Sequence, residues 1–98
     1  MATDLLNLLA EELDMHSLPD QRKSQLQSYL DVAADRIREK GITLDASNSE
    51  DVHLQVEYAA WLFRRRRQEA SKLMPEYLRT DIHDRLIAEK AKVSDGDS

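Results

Sequence analysis

Val56-Glu57-Tyr58-Ala59-Ala60-Trp61-Leu62-Phe63-Arg64-Arg65-Arg66-Arg67 is the stretch on which the reading of this chain turns. Val52, Val56, Ala59, Ala60 and Phe63 mark one helical face, and Leu54, Tyr58, Trp61 and Leu62 make the middle apolar nearly all round. A helix of that kind is normally buried on several sides. The spacing therefore predicts a central helix from about Glu50 to Ser71. Two neighbouring helices are expected to cover part of it and another subunit the rest. The run Tyr58 to Phe63 reads first as plain core; within it Trp61 and Leu62 are the residues most expected to reach an inter-subunit surface, because aromatic side chains are enriched at interfaces. The apolar run Tyr58 to Phe63 is far too short to span a bilayer.

Working towards the N-terminus, residues 42–49 read as a connection. Ile42 and Leu44 are placed to pack back on the core, and Asp45, Ser47, Asn48 and Ser49 are turn and cap types. Ser47 with Glu50 matches a capping box. Before it, Leu26, Tyr29, Leu30, Ala33, Ala34 and Ile37 recur at spacings of three and four, which predicts a helix to about Lys40. Gly41 is its natural stop and Pro19 suits its first turn. Leu5, Leu6, Leu9 and Leu13 give a first helix from Thr3 or Asp4 to Met15, capped by either of those two residues. On the other side, Met74-Pro75 breaks the chain and opens a fourth helix to about Lys90, with Leu78, Ile82 and Leu86 four residues apart. The expected architecture is all-α: a small bundle of about four helices with a long loop between helices two and three. Residues 1–92 form one domain and 93–98 a flexible tail.

The bulk numbers fit this. The chain has 98 residues, 2 Gly, 2 Pro and 34% charged residues, a composition that favours helix. At this length the core is thin, and oligomerisation would help it. No cysteine occurs, so disulfides and thiolate metal sites are excluded, which fits a reducing compartment. No basic segment followed by a long apolar run opens the chain, so no signal peptide is expected. The net charge of −5 argues against general affinity for nucleic acid. The charge is uneven: residues 1–20 carry Asp4, Glu11, Glu12, Asp14 and Asp20 with no Lys or Arg, whereas Arg64 to Arg67 form one basic block. Such polarity suits head-to-tail contact between copies.

No constellation for catalysis stands out. His16, His53 and His83 lie at no metal-ligand spacing. There is no G-x-S-x-G elbow, Walker loop or G-x-G-x-x-G motif, and Asp45 to Asp51 lacks the EF-hand order. The remaining carboxylates fall on expected solvent faces. No enzyme activity and no cofactor or metal is expected. The block Arg64, Arg65, Arg66 and Arg67 reads either as a solvated helix end favoured by the dipole or as a contact for an acidic partner or DNA phosphate. Neighbours on a helix turn about 100° apart, so at least one of the four points at the protein body and needs a carboxylate or a subunit boundary.

Val56 to Arg67, followed by Met74-Pro75-Glu76-Tyr77-Leu78-Arg79 and then Asp84-Arg85-Leu86, resembles the small head–tail connector, or adaptor, proteins of long-tailed bacteriophages. In that family a Tyr-Ala-x-Trp-Leu helix ends in basic residues, and a Met-Pro turn opens a last helix with Leu-Arg and a later Arg-Leu. The resemblance covers residues 52–87. Residues 4–40 match in their two-helix layout and Leu spacing, and His83-Asp84 stands where the family pattern is Asn-rich. The resemblance implies a helical virion protein made in the bacterial host cytoplasm. It would form a ring, roughly twelve-fold, beneath the portal and extend the channel through which DNA passes without specific binding. It would join the head to the next neck or tail protein, and its copies could stay monomeric until a portal is supplied. Trp61, Leu62, Arg64, Arg65, Arg66, Arg67, Asp45, Ser47 and Asn48 are then the candidate contacts to adjacent subunits or portal. A small helical DNA-binding regulator that reads through Arg64 to Arg67 is the alternative.

Overall fold

The helix built on Tyr58 to Phe63 is the central one. The computed structural model describes residues 4–67 and 73–97, and in it the helices are α1 Leu5–Glu12, α2 Asp20–Glu39, α3 Ser49–Arg66 and α4 Glu76–Asp97, with no strand among the described residues. α3 packs against each of the other three. Its two apolar faces explain this. Val52, Val56, Ala59 and Phe63 are buried on one, Leu54, Tyr58 and Trp61 on the other. Leu26, Leu30, Ala33 and Ile37 of α2, at spacings of four, three and four, are all fully buried in the same core. Across α2 and α3, the Tyr29 ring meets Phe63 edge-on at 5.6 Å, and Gln55 Nε2 donates to the Leu30 carbonyl at 3.0 Å.

Trp61 is enclosed by its own chain and is not left for a neighbour to cover. It is 6% exposed within one copy. Tyr58 packs against it edge to face at 5.7 Å, and the Arg65 guanidinium covers the ring at 5.4 Å. The apolar middle of α3 is thus enclosed by the chain itself, and only Leu62 remains half-buried. The thin bundle reaches this by surrounding one helix with three instead of spreading the core evenly.

The helix ends differ from expectation for local reasons. α1 stops at Glu12, not Met15, because Asp14 takes a left-handed φ of 57°. The Asp14 N–H then donates to Glu11 O at 3.1 Å and the Met15 N–H to Ala10 O at 2.8 Å, a Schellman closure usually given to glycine. Pro19 and Pro75 each stand just before their helix, their carbonyls accepting the Lys23 and Arg79 N–H groups. Gly41, at φ 100°, ends α2 as expected. Asn48 caps α3, not Ser47: its Oδ1 accepts the Glu50 and Asp51 N–H groups at 2.8 and 3.2 Å. α3 ends at Arg66, short of the expected Ser71, and residues 68–72 lie outside the described residues. α4 continues to Asp97, so residues 93–97 are helical where a flexible tail was expected. No breaker interrupts the run from Ala88 to Asp95.

α4 buries Leu78 and Ile82 and half-buries Leu86, so its four-residue stripe faces inward as the spacing requires. Tyr77 and Ile87 remain outside at 53% and 54% exposure. The molecule is flat, about 50 × 34 × 17 Å, and α4 forms its outermost layer beside α3. Among the described residues no helix is long and apolar enough to cross a membrane.

Candidate functional site

The arginine block is largely absorbed by the fold. Arg64 Nη2 donates to the Glu12 carbonyl at 2.8 Å, and its Nη1 lies 3.9 Å from the Glu12 carboxylate. It therefore supplies the cation that the C-terminus of α1 lacks. Arg65 lies over Trp61, and Arg67 over Phe63 at 5.4 Å, each from four residues along the chain. Arg22 approaches the same Phe63 ring at 6.0 Å. Such cation–ring contacts are worth about 0.5–1 kcal/mol when exposed. Arg66 is exposed and has no partner among the described residues.

The 40–48 loop is pinned to the body. Asp45 Oδ1 accepts the Ser47 N–H and hydroxyl at 2.9 and 2.7 Å, an Asx turn that turns these side chains on their own loop. Asp51, 2% exposed, accepts the Asp45 N–H at 2.9 Å and the Arg85 Nε–H at 2.6 Å. Arg85 Nη2 also reaches Asp51 Oδ2 at 3.3 Å and the Thr43 carbonyl at 2.8 Å. Glu89 completes the set, accepting the Thr43 N–H at 2.7 Å and facing Arg85 Nη1 at 3.5 Å. The Thr43 N–H, with Arg85, holds the Glu89 carboxyl below its usual range, and the Asp51 carboxylate raises Arg85 further. One guanidinium thus ties α3, α4 and the loop together. Sequence reasoning placed these carboxylates on solvent faces. Asp51 sits in the first turn of α3, where an acid serves the helix dipole equally well in the open, so nothing local marked it as buried.

Glu57 is the second buried carboxyl that sequence reasoning placed outside. It is 7% exposed, and its Oε2 has no hydrogen-bond partner. Its Oε1 contacts His53 Nε2, one helical turn earlier. Burial raises its pKa from 4.5 to about 7, aided by Asp81 on α4 and by Glu12 and opposed by His53. Two carboxylates cannot hydrogen-bond each other, but a protonated Glu57 can donate to Asp81. The one acid set within the apolar run of α3 was the available signal.

Among the described residues no group of three or more His, Cys, Asp or Glu is placed to hold a metal ion. What the surface offers instead is relief. A shallow groove between α1 and α3 has Leu8, Val52 and Val56 along its floor and Glu11 and Glu12 at its rim. On α4 Glu76, Arg79, His83, Asp84, Ile87 and Lys90 are exposed, a mixture of both charges, and Arg79 and His83 line a pocket with Lys40, Met74 and Leu86. No family model, curated protein or solved structure matches the chain.

Proposed function

We propose that this chain is an adaptor of a long-tailed phage neck: a structural protein that assembles as a ring beneath the portal, extends the DNA channel and joins the head to the next neck or tail component. One observation carries the reading. The order Tyr58-Ala-Ala-Trp61-Leu62, four arginines, Met74-Pro75, Leu78-Arg79 and Arg85-Leu86 falls on two helices joined by a Pro turn. Within that order, Trp61 and Arg85 have structural work. Trp61 fills the core under Arg65, and Arg85 locks α4 to the loop through Asp51 and Thr43. A rigidly held outer helix with an exposed face suits a protein whose job is to be gripped by neighbours.

The burial of Trp61 changes what the adaptor reading requires. One copy does not need others to cover its core, so it is able to exist as a folded monomer before a portal is present. Assembly then rests on surface complementarity, not on completing a fold. The DNA-regulator reading is weakened by the same contacts. Arg64, Arg65 and Arg67 are engaged within the chain, and α3 presents them at its C-terminal end after a buried stretch, away from a groove-reading position.

The test is to mix the purified chain with portal rings from the same phage and follow both by sedimentation. Co-migration of many chains per portal is the expected result. A chain that remains free at saturating concentration, or one retained by duplex DNA in a salt-dependent manner, overturns the reading.

A further inference from the structure

The two buried acids of α3 are satisfied unequally. Asp51 takes the Arg85 guanidinium and the Asp45 N–H. Glu57 is 7% exposed, meets His53 with one oxygen and leaves the other without a donor. The titratable and charged groups that face it are His53 from its own helix, Asp81 from α4 and Glu12 from α1, with none from α2 among the described residues. Arg64, 3.9 Å from Glu12, offsets that acid. A carboxylate enclosed with so few donors is costly. Glu57 therefore either keeps a proton and donates it to Asp81 or gains water. The proton is what lets an acid on α3 and an acid on α4 face each other.

Packing decides which wall yields when that proton leaves. α1 packs on both α2 and α3, and Arg64 ties it to α3 through the Glu12 carbonyl at 2.8 Å. α4 packs mainly on α3. A cleft of about 350 Å³ already runs between these two helices, with His53 and Leu54 on one side and Asp81, Asp84, Arg85 and Ala88 on the other. His53 and Asp81, which face Glu57, both open on it, so solvent stands one side chain away. One helical turn beyond Asp81, Arg85 is clamped to Asp51 and to the Thr43 carbonyl at 2.6 and 2.8 Å.

We propose that the Glu57–Asp81 contact is a proton-operated latch on the first turns of α4. With the proton on Glu57, the segment from Glu76 to Ile82 lies closed on α3. Without it that segment opens more often, pivoting on the clamped Arg85, and each opening hydrates the carboxylate and uncovers Leu78 and Ile82. The closed form dominates in both states; the frequency of local opening is what changes. Burial raises the Glu57 carboxyl from 4.5 to about 7 in the closed form, so the latch is firm below 4.5 and is lost as pH rises through 7. It stands on the contacts of this chain and not on the adaptor reading.

Amide hydrogen exchange of the full chain at pH 6 and pH 8, corrected for the intrinsic rate at each pH, reads the opening. Protection of amides 79–84 should fall about five- to tenfold between the two, while that of amides 30–37 in α2 stays within about twofold. Glu57→Gln, which keeps a donor towards Asp81 at every pH, should abolish the fall. Asp81→Asn, whose amide donates to an ionised Glu57, should cut it to about twofold. Asp84→Asn, on the same cleft but not facing Glu57, should leave it at the wild-type value. Constant α4 protection from pH 6 to pH 8 overturns the proposal. So does a fall shared equally by α2, one that appears in α1 instead of α4, or one that survives in Glu57→Gln.

Discussion

Replacing Glu57 with Gln should stabilise the protein in a pH-dependent way. In the folded chain the Glu57 carboxyl is raised from 4.5 to about 7, with burial the largest cause, the neighbouring Asp81 and Glu12 adding to it and His53 opposing. The sign follows from linkage. Below about pH 4.5 both folded and unfolded chains hold the proton, and Glu57 costs nothing. Between 4.5 and 7 only the folded chain holds it, so stability falls as pH rises, and above 7 the loss is complete. The difference between 4.5 and 7, at about 1.4 kcal/mol per pH unit, sets an upper bound of about 3.5 kcal/mol. Relaxation of the Glu57–Asp81 pair and the exposed His53 reduce this to about 1–2 kcal/mol. Gln is isosteric, never ionises, and its amide donates to the Asp81 carboxylate that an ionised Glu57 repels. The variant should match the wild type at about pH 4 and melt about 5–10 °C higher at pH 8, since about 1 kcal/mol moves the midpoint of a domain this size by 4–8 °C. Thermal unfolding at the two pH values reads the effect, and carboxyl carbon NMR follows the titration. An equal change at both pH values, or a Glu57 that titrates with the exposed carboxylates, refutes the reasoning.

Other substitutions probe the remaining contacts. Arg85→Met should cost about 3–5 kcal/mol in urea unfolding, because it leaves Asp51 buried without its cation, whereas Arg85→Met with Asp51→Leu should recover most of that loss. Recovery would be absent if Asp51 were held mainly by the loop. Trp61→Ala should destabilise the isolated chain by about 3–5 kcal/mol, the cost of emptying a buried aromatic site; a change below about 1 kcal/mol would return Trp61 to the surface. Asp14→Gly should add roughly 1 kcal/mol, since Asp14 holds a left-handed backbone that glycine adopts freely. A loss of stability there would mean that the Asp14 side chain matters more than its φ.

The helices were legible because their signals are local. Leu26, Leu30, Ala33 and Ile37 keep a helical period, and so do Val52, Val56, Ala59 and Phe63. Gly41, Pro19 and Pro75 punctuate the chain where backbone chemistry requires. That α3 is central also followed, because both of its faces are apolar. What sequence could not supply was the partner of each long polar side chain. Arg64 reaches Glu12, 52 residues away, and Arg85 reaches Asp51, 34 residues away; no spacing rule links such pairs. The mistake over Trp61 has the same origin. Arg65 lies across its ring and Arg67 across Phe63, so two of the four arginines cover aromatic side chains with their planar heads, which their spacing alone did not assign. Of the residues singled out for assembly, Asp45, Ser47 and Asn48 fold their own loop and cap α3.

Electron cryomicroscopy of portal rings saturated with this chain tests the central claim most directly. The adaptor reading predicts a second ring of small four-helix subunits, coaxial with the portal and continuous with its channel, into which this structure fits without refolding. Portal particles that show no added layer, under conditions where the chain is folded and in excess, contradict it.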